Sequence, residues 1–534
     1  MAEQTIAEAV AQELASAGVD RVFGLPGGEV LVLMEALRQR GIDYVLCRHE
    51  ADAGIMAGVY GKLKGTAGVA LTTLGPGAAN LMLPLANAWL DREPLLAISA
   101  DIPASWPPSH THQRLPLHDI YRPVTKHVER MTPLNARSAV RRAVAATLAQ
   151  PLGPSYLTLS AEDARLPAAE PVIPWQPPEP APVGDPVSAA AELTQRLAQA
   201  ERPLVLLGLG VRPANAPALR RWLESWKLPV AVTPKVKGLV DETAPNFVGV
   251  IGGMAIDDLM LQALEQADLL VGFGFDPVEV DKTWHARLPV LWALESANAA
   301  GELPRHDLLL ADHGQLLEHL SRQDPPRAWG DPFAPIRAER LAIARGESRA
   351  PRRGLKPVEI VQALASVLPA ETIVTTDVGS HKYLFGQFWP SRYPETFWMS
   401  NGLSGMGYGL PAAIGAKLAR PGVPVLAALG DGGFSMNSHE LETACRIGVP
   451  IIVVVIADQS YSLIRLAQES RGLPRHGVDF GPIDCVATAR ACGADAVRAG
   501  TPEEIAEAAQ QALRADVPFV IEVPLHPDAY RDIV

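Results

Sequence analysis

The stretch VLAALGDGGF, residues 425–434, joins a short apolar run directly to a glycine-rich turn that contains one carboxylate, Asp431. An apolar run of this length, bounded by glycines, is typical of a strand buried on both faces of a parallel sheet. Strands of this kind that alternate with helical patterns predict an α/β protein built from doubly wound parallel sheets. Further runs lie at 69–73, 204–210, 269–274, 373–377 and 450–458.

A chain of 534 residues is too long for one hydrophobic core, since domains usually hold about 100–200 residues. Two segments are expected to be linkers. Segment 166–188 is rich in proline, and segment 322–356 mixes proline, glycine and arginine. In the first, the prolines argue against a helix or a central strand. We therefore expect three doubly wound domains, spanning residues 1–165, 189–322 and 356–534.

The overall charge and the cysteine content exclude several classes of protein. Lys and Arg total 47 against 59 Asp and Glu, a net charge of −12 that argues against a protein that coats nucleic acid. Four cysteines in so long a chain cannot form a disulfide framework. No stretch approaches the roughly 18 apolar residues of a membrane span, and the first residues form an acidic amphipathic pattern. We expect a cytoplasmic protein that acts without membrane or nucleic-acid partners.

Asp431 is a candidate metal ligand. Glycines allow close backbone approach to an anion, and the helix expected over Ser438–Arg446 would follow this turn. The next apolar run ends at Asp458, and adjacent parallel strands would bring both carboxylates to one edge of the sheet. Mg²⁺ prefers such hard oxygen ligands together with phosphate oxygens. On its own, however, a G-D-G sequence is also a common tight turn.

A second candidate site begins at Glu50, between an apolar run at 44–47 and a small-residue helix expected over Ala51–Lys64. From this stretch alone, the carboxylate could equally be a helix cap. A Gly75-Pro76-Gly77 turn and another small-residue helix follow, and small residues favour close approach to a second subunit or to a flat ligand.

These motifs together resemble those of a known enzyme group. The sequences R-H-E-A at 48–51, T-x-G-P-G-A-x-N at 73–80 and G-D-G with a second ligand at 458 are similar to those of thiamine diphosphate enzymes of the pyruvate decarboxylase and acetolactate synthase group. The resemblance covers essentially the whole chain. It is strongest to the catabolic, FAD-independent acetolactate synthases, on segments that include 111–113, 122–127, 272–284 and 478–484.

The resemblance implies a role for individual residues. Glu50 would contact N1′ of the cofactor's aminopyrimidine, and His112 and Gln113 would act on the substrate. Mg²⁺ would be held by Asp431, Asp458 and the carbonyl of Ser460. The remaining expected cofactor contacts are Pro26, Gly27, Pro76, Asn80, Gly379, Ser380, His381, Ser404, Met406, Gly432, Gly433 and Tyr461.

The implied reaction is decarboxylation of pyruvate and carboligation to a second 2-oxo acid, giving 2-acetolactate. The implied assembly is a homodimer with shared sites, and two such dimers would form a tetramer. Glycine pairs at 208–210 and 272–274 are interpreted as tight turns rather than a dinucleotide site, so FAD is not expected. Glu29, where the catabolic enzymes usually carry lysine, and Ala467 leave a decarboxylase or aldehyde carboligase with another substrate as an alternative. A silent cofactor-binding paralogue is a further alternative, against which intact Glu50, Asp431 and Asp458 argue.

Overall fold

The structure is a computed structural model that describes residues 4–177, 184–279, 288–296, 307–347, 354–531 and 533. Its described residues contain three six-stranded sheets in which all paired strands are parallel. Helices connect the strands, as the alternation of apolar runs with helical patterns predicted. The α/β fold class is therefore confirmed.

The first sheet has the strand order β2-β1-β3-β4-β6-β5. Its strands are β1 (Arg21–Leu25), β2 (Asp43–Leu46), β3 (Gly68–Thr72), β4 (Leu95–Asp101), β5 (His127–Arg130) and β6 (Ser155–Ser160). The helices of this region are α1 (Ile6–Ser16), α2 (Leu31–Gln39), α3 (Glu50–Lys64), α4 (Pro76–Ala79), α5 (Met82–Asp91), α6 (Leu117–Tyr121) and α7 (Ala136–Leu148).

The second sheet has the order β12-β11-β10-β7-β8-β9. Its strands are β7 (Pro203–Leu207), β8 (Val230–Val232), β9 (Phe247–Val250), β10 (Leu269–Phe273), β11 (Val290–Leu294) and β12 (Asp307–Leu310). The described helices here are α8 (Pro186–Gln199), α9 (Ala216–Trp226), α10 (Asp257–Gln266), α11 (His313–Leu320) and α12 (Ala334–Ala344).

The third sheet has the order β14-β13-β15-β16-β18-β17. Its strands are β13 (Ile373–Thr376), β14 (Phe397–Met399), β15 (Val425–Gly430), β16 (Ile452–Ala457), β17 (Asp495–Arg498) and β18 (Phe519–Pro524). The helices are α13 (Pro357–Val367), α14 (Ser380–Phe388), α15 (Gly409–Ala419), α16 (Asp431–Asn437), α17 (Glu440–Arg446), α18 (Ser462–Ser470), α19 (Cys485–Ala491) and α20 (Pro502–Ala512).

The chain divides into two compact units. One unit holds the first sheet together with α15 and α17, and the other holds the second and third sheets. Their limits are Met1–Pro180, Gly402–Gly422 and His439–Val449 for the first unit, and Ala181–Asn401, Val423–Ser438 and Pro450–Val534 for the second.

Helix α3 lies at the centre of the first unit and is buried on every face. Its contact with α15 is close, because a Cβ added at Gly415 would lie 2.5 Å from the carbonyl oxygen of Met56. The small-residue face of α15 therefore packs closely against a helix of the same unit.

Two expectations about helix bounds were wrong. The 166–188 segment is not free of helix, since α8 begins at Pro186. Proline fits the first helical position, where its missing N–H has no intrahelical partner. The helix expected over Ser438–Arg446 is present as α17, but the unexpected helix α16 precedes it and begins at Asp431, so the G-D-G sequence forms a strand end and a first helical turn instead of a loop.

Parts of other segments fall outside the described residues. These are 280–284 in the stretch that resembles the middle domain of acetolactate synthases, and 348–353 in the second expected linker. The domain boundaries themselves stay predictions. Among the described helices, none is both long and apolar enough to cross a membrane.

Candidate active site

Glu50 is the first residue of α3 and follows the end of β2 in the first unit. Its side chain is buried, and the amide nitrogen of Asn80 donates to Oε2 at 2.8 Å. The preceding residue, His49, caps the helix by accepting the N–H of Ala51 at Nδ1. Glu50 is therefore not needed as the cap, and its carboxylate is held by a residue of the predicted 73–80 motif.

The Gly75-Pro76-Gly77 turn lies directly beside Glu50. A Cβ at Gly77 would lie 3.3 Å from Glu50 Oε1, and Gly75 has a φ of 62°, a left-handed conformation that favours glycine. Gln113 lies against Gly75, since a Cβ there would lie 2.9 Å from the Gln113 Cβ. The structure thus brings Glu50, Asn80, the turn and Gln113 together, whereas His112 is exposed and none of the described contacts joins it to this group.

The turn after β1 lies against the turn after β3, its neighbour in the sheet. A Cβ at Gly27 would lie 2.4 Å from the hydroxyl oxygen of Thr73, so only glycine fits there, and exposed Pro26 precedes it. The same hydroxyl donates to Glu29 Oε2 at 2.6 Å. Pro26, Gly27 and Glu29 therefore border the same edge of the first sheet as Glu50.

The predicted metal ligands meet in the second unit. β15 and β16 are adjacent, Asp431 follows the former, and Asp458 follows the latter. The backbone N–H of Gln459 donates to Asp431 Oδ2 at 2.8 Å, which ties the two strand ends together. The Ser462 hydroxyl donates to Asp458 Oδ2 at 2.5 Å, and the N–H of Ser460 donates to Oδ1 at 3.2 Å.

Burial raises the pKa of Asp431, and burial together with the nearby charge of Asp431 raises the pKa of Asp458 to about 6. Two adjacent buried carboxylates are costly to ionise without a cation. Hard oxygen donors at neighbouring strand ends fit a Mg²⁺ ion. The donor set therefore fits the metal that the sequence predicted, and the ion itself remains a proposal.

Two buried polar side chains follow β13, at the start of α14, and each has a hydrogen-bonding atom with no partner among the described residues. These atoms are the hydroxyl of Ser380 and Nε2 of His381. Burial lowers the pKa of His381 to about 4, so the ring is neutral at neutral pH. The unpartnered hydroxyl of Ser380, beside a helix N-terminus, fits an anionic ligand group such as a diphosphate.

Three glycines allow other side chains to pack closely at this edge of the third sheet. A Cβ at Gly433 would lie 2.0 Å from Asp377 Oδ2, and one at Gly432 would lie 2.7 Å from the ring of Tyr461. Gly379 precedes α14, and the ring of His381 lies 2.7 Å from the position of its added Cβ. The predicted cofactor contacts of the third sheet therefore lie around one set of strand ends.

The loop before α15 belongs to the first unit. Ser404 is exposed with a φ of 53°, and Met406 is half-buried. The loop is anchored at both ends, because the N–H of Gly402 donates to Asp91 at 2.9 Å and the hydroxyl of Tyr408 donates to Glu93 at 2.8 Å. The sequence analysis did not predict these two anchors, since buried carboxylates in a helix and its following turn carry no motif.

Glu440 is a second residue whose role the sequence analysis missed. Its buried Oε1 accepts the N–H groups of Arg48, at 2.8 Å, and His49, at 3.2 Å, and Thr443 donates to Oε2 at 2.6 Å. Asp52 lies close by and pairs with His439 at 3.1 Å. The carboxylate thereby fixes the two residues that lead into Glu50.

The chain is similar to known enzymes along most of its length. Three regions match the thiamine pyrophosphate enzyme family: its N-terminal TPP binding domain at residues 4–120, its central domain at 190–295 and its C-terminal TPP binding domain at 377–523. The chain is 30% identical to an acetolactate synthase of Bacillus subtilis, over 97% of the chain and 93% of the relative. It is 31% identical to a catabolic acetolactate synthase of Raoultella terrigena, over 98% and 95%.

The chain belongs to the acetolactate synthase-like family of thiamine diphosphate-dependent enzymes. Its general chemistry is thiamine-dependent decarboxylation and carboligation. Another relative is named for a different reaction. The chain is 31% identical to a probable 2-ketoarginine decarboxylase of Pseudomonas aeruginosa, over 86% of the chain and 83% of that protein.

The residues of both units fit the family's cofactor. A buried carboxylate held by Asn80 suits a pyrimidine nitrogen, and the unpartnered hydroxyl of Ser380 suits a diphosphate.

The glycines after β7 and β10 in the second sheet are closely packed. A Cβ at Gly208 would lie 2.4 Å from the Phe275 Cα, and the N–H of Gly210 donates to the Gly274 carbonyl at 2.7 Å.

Proposed function

We propose that this enzyme decarboxylates pyruvate and joins the remaining two-carbon unit to a second 2-oxo acid, giving 2-acetolactate, with Mg²⁺ as the metal. The observation that carries the proposal is the buried Glu50 carboxylate, held by Asn80 beside the Gly75-Pro76-Gly77 turn. The names of the Bacillus subtilis and Raoultella terrigena relatives support this reaction.

Each set of residues has a separate task in the proposal. When bound, thiamine diphosphate would supply a nucleophilic carbon and an electron sink for the loss of CO₂. Glu50 would hold a proton at the pyrimidine N1′, and Met406 and the Ser404 carbonyl would orient the ring. Asp431, Asp458 and the Ser460 carbonyl would hold Mg²⁺. The diphosphate would be held by Gly379, Ser380, His381, Gly432, Gly433 and Tyr461, and further cofactor contacts would come from Pro26, Gly27, Pro76 and Asn80.

The substrate is controlled in this proposal by Gln113 and His112. Gln113 lies against Gly75 and so borders the Glu50 group, while His112 is exposed on the same loop. A carboligase must exclude proton donors from the reacting carbon and hold a second substrate there. The two side chains are therefore expected to set the balance between carboligation and simple decarboxylation.

We further propose a homo-oligomer, at least a dimer and by resemblance a tetramer. Glu50 lies in the first unit and the metal ligands lie in the second. In the family that the sequence resembles, a site takes its pyrimidine half from one subunit and its diphosphate half from the other. The proposed enzyme would act in the cytoplasm.

A second candidate is a decarboxylase that acts on a different 2-oxo acid. The Glu29 carboxylate beside Thr73 favours it, as does the decarboxylase activity for which the Pseudomonas aeruginosa relative is named. Incubation with pyruvate, thiamine diphosphate and Mg²⁺ separates the candidates. Acetolactate supports the first, while acetaldehyde, or no use of pyruvate but turnover of another 2-oxo acid, supports the second. Inactivity towards a broad panel of 2-oxo acids would contradict both.

A further inference from the structure

Glu29 places a second carboxylate at the edge of the first sheet that carries Glu50. It lies in a short 3-10 helix, Gly28–Val30, immediately after β1. β1 pairs with β2 on one side and with β3 on the other, so the chain segments after these three strands are neighbours. Glu50 follows β2 and Thr73 follows β3.

Thr73 lies between the two carboxylates. Its hydroxyl donates to Glu29 Oε2 at 2.6 Å, and its methyl carbon lies 2.9 Å from the position of a Cβ added at Gly77. The same Cβ position is 3.3 Å from Glu50 Oε1. One threonine side chain and one glycine therefore separate Glu29 from Glu50, so Glu29 borders the space beside Glu50 in which the cofactor and its substrate are proposed to bind.

Glu29 has no basic partner within the described residues. Its one described hydrogen bond leaves Oε1 without a donor, and the side chain is half-buried. Glu35, on the following helix, is different, because Arg38 donates to both of its oxygens at 2.8 Å. A partly desolvated carboxylate that no cation neutralises repels a second anion and attracts a protonated nitrogen.

We propose that Glu29 is a specificity-determining residue that selects a 2-oxo acid bearing a protonated amino or guanidino group at the end remote from its ketone. This inference rests on the second candidate function, decarboxylation of a 2-oxo acid other than pyruvate, and specifies its substrate class. Thr73 fixes Oε2, so Oε1 is presented to the substrate cation. A second carboxylate at the remote end of the substrate would meet the same charge and is disfavoured.

The test compares three 2-oxo acids of similar length with the intact enzyme, thiamine diphosphate and Mg²⁺. They are 2-oxo-5-guanidinopentanoate, neutral 2-oxohexanoate and anionic 2-oxoadipate. Wild type should show a kcat/KM for the guanidino acid at least about 10-fold above that for the neutral acid, the size expected of one charge-assisted hydrogen bond. In Glu29→Gln this ratio should fall by about 10-fold or more, with little change for the neutral acid.

Two variants serve as controls. Glu35→Gln removes the same charge from the neighbouring helix and should keep the wild-type ratio. Glu29→Asp keeps the charge and should retain most of the preference, which a merely structural role of the glutamate does not require. Calorimetric binding of 4-guanidinobutyrate, a nonreactive zwitterion with the same guanidinium and carboxylate groups, to the loaded enzyme should weaken in Glu29→Gln but not in Glu35→Gln.

The outcomes separate the inference from the proposed function. Equal ratios in wild type and Glu29→Gln, with 2-oxohexanoate still decarboxylated, would overturn the specificity role and leave decarboxylation standing. A wild-type preference for 2-oxoadipate would also overturn it. Failure of wild type to decarboxylate any 2-oxo acid would remove the proposed function and this inference with it. If Glu29→Gln no longer binds the cofactor, two other results test the specificity role. They are the ratio of the two kcat/KM values in Glu29→Asp and the order in which wild type prefers the three substrates.

Discussion

Replacing Glu279 by Gln should make the protein more stable at neutral and alkaline pH. Glu279 is completely buried at the carboxyl edge of the second sheet. Burial raises its pKa from 4.5 to about 8, so the folded protein keeps a proton that the unfolded chain releases. Between these two pH values the native state binds more protons, and stability falls as the pH rises.

The size of this effect follows from the shift. Between these two pKa values the free energy of unfolding falls by about 1.36 kcal/mol per pH unit, so wild type loses about 3 kcal/mol of stability between pH 4.5 and 7. Glutamine keeps the shape and does not titrate. Its oxygen can accept the N–H groups of Leu209, at 2.8 Å, and Asp276, at 3.2 Å, and its amide can donate to the hydroxyl of Thr233. At pH 5 the two proteins should therefore be nearly equal in stability.

Parallel urea unfolding of wild type and Glu279→Gln from pH 5 to pH 8.5 measures the difference. The free-energy gap should open steadily with pH in favour of the variant. Glu279→Ala is the control, because it leaves both N–H donors unsatisfied and should destabilise the protein at every pH. A gap that stays constant across this range would refute the reasoning, since it would show that Glu279 does not titrate within it.

Three further outcomes are expected. Glu50→Gln should lower turnover by 10²-fold or more with the fold intact, because general acid–base steps contribute about 10²–10⁴-fold, and steady-state kinetics within about threefold of wild type would exclude the role. Asp431→Ala and Asp458→Ala should each abolish Mg²⁺-dependent binding of thiamine diphosphate, and calorimetry that shows unchanged affinity in both would contradict the metal assignment. Dissociating and reassociating a mixture of inactive Glu50→Gln and Asp431→Ala should restore activity if sites are shared between subunits, while a mixture that stays inactive would confine each site to one chain.

The sequence could predict that Asp431 and Asp458 lie close together, because their closeness depends on the sheet topology alone. Two consecutive apolar runs that become adjacent parallel strands must end at the same sheet edge. Glu50 and Asn80 were predictable for another reason, since both belong to motifs whose resemblance extends along the chain. The hydrogen bond between their side chains was not part of that pattern.

Helix starts and long-range anchors were harder to predict. The glycines at 432 and 433 argued for a loop, but they pack against Tyr461 and Asp377 within the first turn of α16, and this tertiary packing overrides helix propensity. Glu440 contacts residues almost 400 positions away in sequence. No local periodicity encodes such a contact, and so its role became visible only in the structure.

The close packing of α3 bears on how this enzyme could acquire new substrates. Gly54 lies where a Cβ would meet Pro84 at 2.5 Å, and Gly61 lies where one would meet the backbone of Gly68 at 2.2 Å. Larger residues on this helix would displace its neighbours, so few mutations there leave Glu50 in place. Gly28, in the exposed turn after β1, is different, because no heavy atom lies within 4 Å of a Cβ added there. Libraries that diversify Gly28 and leave Gly27 and α3 unchanged should therefore yield more folded variants with altered selectivity than libraries centred on the helix.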